Sequence, residues 1–237
     1  MRFRTGDVLL WRTTTKYDIL EEHLVLLKGM HSGIILKGSG FGALSECGES
    51  PSNTYVTFMI DKIFPVEEVV GAVWYRPNGA AMHLIQRISG DDIEESTAVE
   101  AYKDLISMNR LSFCHSVYLT LAGYFRMGNL MSQTVGSRSN VCSSVSAHLL
   151  NKFGLLDSHA VVGNILPTDF YDLRFYQSED YRRIDVFDKM TYSYAWYLSA
   201  ILINLGLFVP DRLHSPTVDK ILDKYDWPRF KGQVRGI

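Results

Sequence analysis

The stretch Ser139–Leu150, SNVCSSVSAHLL, places Cys142 between small polar residues and the apolar run of a predicted helix. The helix is predicted over residues 141–153 because Gly154, a favourable residue just after a helix end, follows. At a helix N-terminus the macrodipole and the unpaired backbone N–H groups favour a thiolate, and the N–H of Cys142 can serve an oxyanion hole. Cys142 is therefore a candidate nucleophile. The alternative is a small buried helix residue, as most free cysteines are.

Composition limits the class of protein. The chain has 237 residues, 46% of them hydrophobic, and a formal net charge of −2. This length suits one folded unit with an appendage, and the charge predicts no attraction to nucleic acid. The three cysteines are an odd number without paired spacing, which favours a reducing compartment over a disulfide framework. The first residues lack the apolar core of a signal peptide, so a cytoplasmic location is expected.

Strand patterns dominate the first third of the chain, and helix patterns follow them. The predicted strands are residues 6–11, 31–38, 42–49, 55–60 and 69–75, and helices are predicted at 17–28 and 93–108. Residues 42–49 are expected to pair with 31–38 as a hairpin, with the turn at residues 38–40. Strands followed by helices, with few βαβ alternations, predict an α+β fold with an antiparallel sheet.

A nucleophilic cysteine needs a base, and the base needs a group that orients it. His31 opens a predicted strand, where a rigid scaffold holds functional side chains well. Glu46 lies in the strand expected to pair with the His31 strand, and cross-strand neighbours on one face lie about 5 Å apart. From the residues alone, the favoured interpretation of Glu46 is an exposed strand carboxylate.

Other histidines are weaker partners for Cys142. His148 follows it in the same helix but on a different face, and His23 lies on the apolar face of a predicted helix. His115, beside Cys114, forms a rival pair. Cysteine and histidine do not recur at metal-ligand spacing, so the sequence predicts no metal site.

Five motifs in order resemble a known superfamily. They are GDVLLWR, MHSGIIL, LSECGE, VCSSVSAHLLNKFGLL and ILPTDFYDL, and together they cover about residues 5–175. Their order is similar to the circularly permuted branch of the NlpC/P60 papain-like superfamily. That branch contains YiiX-like bacterial proteins, a poxvirus protein and, more distantly, lecithin:retinol acyltransferase-like enzymes. The histidine precedes the cysteine, which is the reverse of the papain order and the mark of permutation.

The resemblance implies a fold and a triad. The fold is a permuted papain-like one, with an antiparallel sheet or small barrel packed on helices, over residues 1–187. Matched motif to motif, the nucleophile falls on Cys142, the base on His31 and the polar third residue on Glu46. One position departs from the pattern: Ser144 stands where the family often has Glu or Gln, which puts a local helix or substrate contact in doubt.

The implied activity is that of a thiol hydrolase or acyltransferase without a cofactor. Its substrate would be a peptide or lipid with an amide or ester bond, cleaved through an acyl-enzyme. The alternative is a catalytically idle structural or interaction protein of the same fold. Because the superfamily has viral members, a virion-associated protein is the alternative to a cytoplasmic one.

Residues 188–237 are predicted to be a helical C-terminal extension. Residues 192–209, YSYAWYLSAILINLGLFV, contain no charged side chain, and aromatic residues crowd one end. A spanning helix needs about 20 apolar residues, and Ser193, Ser199 and Asn204 dilute this run. A helix covered by protein is the prediction, either within the chain or by a protein partner. Peripheral membrane contact is the alternative.

Overall fold

Six antiparallel strands form one sheet in the computed structural model, which describes residues 3–13, 30–45, 47–60, 62–74, 80–107, 142–176 and 181–188. The strands are β1 Val8–Thr13, β2 Met30–Lys37, β3 Thr54–Met59, β4 Lys62–Pro65, β5 Ala80–Arg87 and β6 Tyr181–Asp188. Their order across the sheet is β4-β3-β2-β1-β5-β6. The predicted α+β class with an antiparallel sheet is confirmed. The permuted papain-like topology stays a prediction.

Among the described residues, four α-helices cover the two faces of this sheet. They are α1 Val66–Trp74, α2 Glu95–Ile106, α3 Cys142–Lys152 and α4 Pro167–Tyr171. Helix α1 contacts β3, β4 and β5, whereas α3 packs on β2 and β3, and α4 on β1, β2 and β5. The predicted helix at residues 141–153 is confirmed. So is the predicted helix at 93–108, although α2 begins and ends two residues inside that range.

Side-chain alternation along the strands divides the core in two. In β1, Val8 and Leu10 belong to one buried cluster, and Leu9 and Trp11 to the other. The first cluster also contains the apolar residues of α2, α3 and α4, and it is called here the α3-side core. The second contains Val66, Val69, Ala72 and Val73 of α1 and is called the α1-side core. The central strands of the sheet are therefore buried on both faces.

The prediction of a strand at residues 69–75 is wrong, because most of this segment belongs to α1. Its valines favour a strand by propensity. However, Glu67 and Glu68 lie in the first turn, where they complement the helix dipole. The buried residues Val66, Val69 and Val73 recur at helical spacing and fill the α1-side core.

The predicted hairpin strand at 42–49 is also wrong. Residues Ser39–Leu44 form a 3-10 helix, and β2 pairs instead with β1 and β3. Glu95, the first residue of α2, holds this turn: its Oε1 accepts the backbone N–H of Gly40 at 2.6 Å. The segment after β2 therefore packs against the start of α2 and does not return along β2 as a hairpin. Cys47, expected in mid-strand, lies buried in a turn.

Several sequence predictions lie outside the described residues. They concern the helix at 17–28, the C-terminal extension beyond Asp188, Glu46, His23, and the Cys114–His115 pair. In the described part, strands β4, β5 and β6 and helix α4 were not predicted. Every residue of β5 is buried, so it lacks alternation, and β6 carries four charged residues in eight.

Candidate active site

Helix α3 packs on β2 and runs in the same direction as that strand. Leu155, just after α3, lies so close to Gly6 that a Cβ there would be 2.5 Å from its Cδ1. The N–H of Gly6 in turn donates to the carbonyl of Ile35, near the end of β2, at 3.0 Å. The helix is about 16 Å long, and the strand from His31 to Ile35 is about 13 Å. The Cys142 end of α3 therefore lies toward the His31 end of β2.

Cys142 is the first residue of α3 and is half-buried. The apolar residues that follow it in the helix belong to the α3-side core, but Cys142 itself packs against the α1-side core. Small residues begin the helix, and Ser143, Ser144 and Ser146 are all buried. The thiol thus combines the N-terminal position predicted from the sequence with partial access to solvent, which a nucleophile requires.

His31 lies on the α1 side of the sheet. It stands directly opposite Trp11 in the β1–β2 register, so the two side chains share one face. The imidazole is half-buried, and its ring stacks on the indole with centroids 5.9 Å apart and planes 24° apart. Trp11 belongs to the α1-side core, against which Cys142 also packs. His31 and Cys142 therefore border the same cluster, and their predicted hydrogen-bonding separation stays a prediction.

Glu46 lies outside the described residues, and the reasoning that placed it opposite β2 is wrong. The neighbours of β2 are β1 and β3, and the chain just before Glu46 is a 3-10 helix followed by an extended residue, Ser45. Only the motif resemblance now assigns Glu46 to the site.

Cys47, the other described cysteine, and His148, the histidine of α3, do not resemble a nucleophile and its base. Cys47 is buried in the α1-side core. The ring of His148 is half-buried on α3, and its Nε2 has no hydrogen-bond partner within the described residues. Burial lowers the pKa of His148, and the charge of Lys152 lowers it further. A histidine that resists protonation in this way fits a packing residue better than the cation of an ion pair.

Sequence reasoning missed two residues next to the site, Trp11 and Ser32. Ser32 follows His31 and faces the other side of the sheet, opposite Leu10 of the α3-side core. It is fully buried, and its hydroxyl has no hydrogen-bond partner in the described part of the chain. Strand alternation from His31 predicts the direction of each side chain, but no sequence signal identifies an unpaired hydroxyl.

The motif at residues 165–173 contributes to the support of the sheet. It forms α4, whose Asp169 is buried and accepts the N–H of Leu166 through Oδ2 at 2.9 Å. Phe170 fills the α3-side core. The motif therefore holds α4 against β1 and β2, which carry Trp11 and His31.

Comparisons with protein-family models, with curated proteins and with solved structures found no match in any of the three. The resemblance to the permuted branch therefore rests on the motifs alone. None of the helices among the described residues is both long and apolar enough to cross a membrane. In the same residues, no three histidine, cysteine, aspartate or glutamate side chains are grouped to hold a metal ion.

Proposed function

We propose that the protein is a thiol hydrolase or acyltransferase that cleaves an amide or ester bond with Cys142 as nucleophile and His31 as base. The observation that carries the proposal is the position of Cys142. It begins α3, at the end of that helix nearer His31, and both residues border the α1-side core. The helix dipole and the backbone N–H groups of the first turn stabilise a thiolate there. The motif order gives the same two residues.

The reaction proceeds through an acyl-enzyme. His31 takes the proton of the Cys142 thiol, and the thiolate attacks the carbonyl carbon of the substrate. The N–H groups of the first turn of α3 stabilise the developing oxyanion. The carbon–leaving group bond then breaks, and the leaving group receives the proton from His31. Water completes hydrolysis, and an alcohol or amine completes acyl transfer. The motif resemblance assigns to Glu46 the role of orienting His31.

An electrophilic probe directed at acyl-transfer cysteines tests the nucleophile. Full-length protein is labelled at neutral pH, and the modified cysteine is identified by peptide mass mapping. Cys142 should react fastest, and the His31→Gln variant should slow its labelling strongly because the base is lost. Buried Cys47 is an internal control. Faster labelling of Cys114 moves the site to the Cys114–His115 pair. An equal rate of Cys142 labelling in wild type and His31→Gln favours a catalytically idle protein.

Substitution separates the nucleophile from the orienting residue once a substrate is known. Cys142→Ala should abolish activity, because the covalent route disappears. Glu46→Gln should leave a reduced activity, because the base remains. Equal and complete loss in both, with Glu46→Gln still folded by circular dichroism, would give Glu46 a larger role than orientation.

A further inference from the structure

A row of aromatic rings stands behind His31. Trp11 is 1% exposed and stacks on His31 by one face. Its edge contacts Phe58, with centroids 5.1 Å apart and planes at 79°. Phe58 in turn stacks on Phe64 at 5.2 Å and 13°. The indole is therefore backed by the buried ring of Phe58, which Phe64 supports in turn, and its position is set by the core rather than by solvent.

We propose that Trp11 is a positioning residue that fixes the plane of the His31 imidazole and favours its protonated form. The catalytic consequence rests on the proposed function, but the contact with His31 does not. Trp11 and His31 are paired by strand register, so the backbone brings the two rings together without a loop.

Two physical effects act through this contact. A buried ring restricts the rotation of a side chain stacked on it, which holds the imidazole in one orientation. In addition, the face of an indole attracts a cation within about 6 Å of its centroid, and the His31 ring centroid lies at 5.9 Å. This attraction acts on imidazolium and is absent for neutral imidazole. Near a cysteine, that attraction shifts the pair toward thiolate and imidazolium, the reactive ion pair.

The test measures the protonation of His31 directly. The pH titration of the His31 ring is followed by NMR in full-length protein, with the signal assigned by its loss in His31→Gln. The variants are Trp11→Phe and Trp11→Leu. The midpoint should fall in the order wild type, Trp11→Phe, Trp11→Leu, because tryptophan has the strongest cation–π face and leucine has none.

Phe41→Leu is the matched control, since it removes a fully buried ring from the opposite face of the sheet. It should lower the melting temperature without moving the His31 midpoint. Equal midpoints in wild type and Trp11→Leu overturn the inference. Should Trp11→Leu not fold, equal midpoints in wild type and Trp11→Phe overturn it.

The rate of Cys142 alkylation against pH separates this inference from the proposed function. A rate profile that moves to higher pH in Trp11→Leu supports both. A profile that is unaffected by His31→Gln removes the proposed function, while the ordered His31 midpoints would still establish the role of Trp11.

Discussion

Asp7 is a fully buried carboxylate at the start of the sheet. Its Oδ2 accepts the backbone N–H of Arg4, and its Oδ1 that of Arg87, each at 2.9 Å. Burial raises the pKa of Asp7 to about 6, and it outweighs the two N–H groups and the charges of Arg4 and Arg87, which lower it. The side chain ties the N-terminal segment to the end of β5, and between about pH 4 and 6 it keeps a proton that an exposed aspartate would release.

This burial predicts an unusual pH dependence. Between about pH 4 and 6 the folded chain holds the Asp7 proton while the unfolded chain has lost it, so the folded state binds more protons and loses stability as pH rises. Relative to Asp7→Asn, which cannot titrate, the wild type should lose roughly 2–3 kcal/mol of unfolding free energy between pH 4 and pH 7. Urea denaturation of both proteins at several pH values measures this. Parallel stability curves would contradict it.

Ser32 presents the opposite case, because its buried hydroxyl has no partner among the described residues. An unpaired buried hydroxyl costs stability, so Ser32→Ala should leave the unfolding free energy unchanged or raise it by about 1 kcal/mol.

Thr57 supplies the matched control for Ser32, since its buried hydroxyl lies within donating distance of two carbonyls, that of Met59 at 2.7 Å and that of Lys62 at 2.9 Å. Thr57→Val should therefore lose about 1–2 kcal/mol by chemical denaturation. A comparable loss in Ser32→Ala would show that the Ser32 hydroxyl has a partner in solution.

At the scale of single residues, the sequence predicted what depends on local position. Cys142 begins a helix as expected, and His31 lies in a strand as expected. The stacking of Trp11 on His31 depends on the register between β1 and β2, which are separated by residues 14–29. Register follows from long-range packing, so the residues of either strand alone did not reveal it.

Among the elements, the 3-10 helix Ser39–Leu44 depends on one glycine. Gly38 has φ 151° and ψ 153°, a region that is essentially restricted to glycine. A Cβ at this position would lie 2.3 Å from Cδ of Glu95, the residue that holds Gly40. The turn therefore requires glycine for two reasons, the backbone conformation and the close approach of α2.

The substitution Gly38→Ala should cost about 3–4 kcal/mol, because backbone strain and steric overlap add. Gly90→Ala is the control. Gly90 also has a positive φ, 78°, but no atom lies within 4 Å of an added Cβ, so about 1–2 kcal/mol is expected. Thermal or urea denaturation of both variants gives the difference. Equal losses would mean that Glu95 moves aside without cost.

The elements that the sequence predicted correctly are those with a clear period or boundary. Strands β1, β2 and β3 and helices α2 and α3 have such signals. The prediction of a strand in place of helix α1 is wrong because a short valine-rich run fits both the strand period and the helix period. Only its packing against one face of the sheet distinguishes the helix from a strand. The 3-10 helix forms in place of the predicted strand because its backbone N–H at Gly40 donates to Glu95, a carboxylate distant in sequence. Contacts of this kind arise only when the chain has folded.

On the scale of the whole molecule, the question is whether protein or lipid covers the apolar residues 192–209. They lie outside the described residues, and the prediction of a covered helix rests on sequence. Its apolar side chains are worth about 1.5–3 kcal/mol each when buried, too much to leave in water. In hydrocarbon, Ser193, Ser199 and Asn204 would need polar partners. Cover by protein, within the chain or between subunits, is therefore expected.

Liposome flotation tests this expectation. Full-length protein and a chain that ends at Asp188, the last residue of β6, should both stay at the bottom of the gradient. Flotation of the full-length protein alone would make the segment a membrane anchor.

The position of β6 at the edge of the sheet has a consequence for synthesis of the chain. β6 pairs only with β5 in the described sheet, and His83 of β5 bonds Asp185 of β6 at 2.8 Å. At 5–20 residues per second, a ribosome needs roughly 5–20 s to pass from the end of β5 to the start of β6. Throughout that interval, the outer edge of β5, a strand whose residues are all buried once the sheet is complete, lacks its neighbouring strand. A nascent chain in this state is a natural client for chaperones and a template for aggregation.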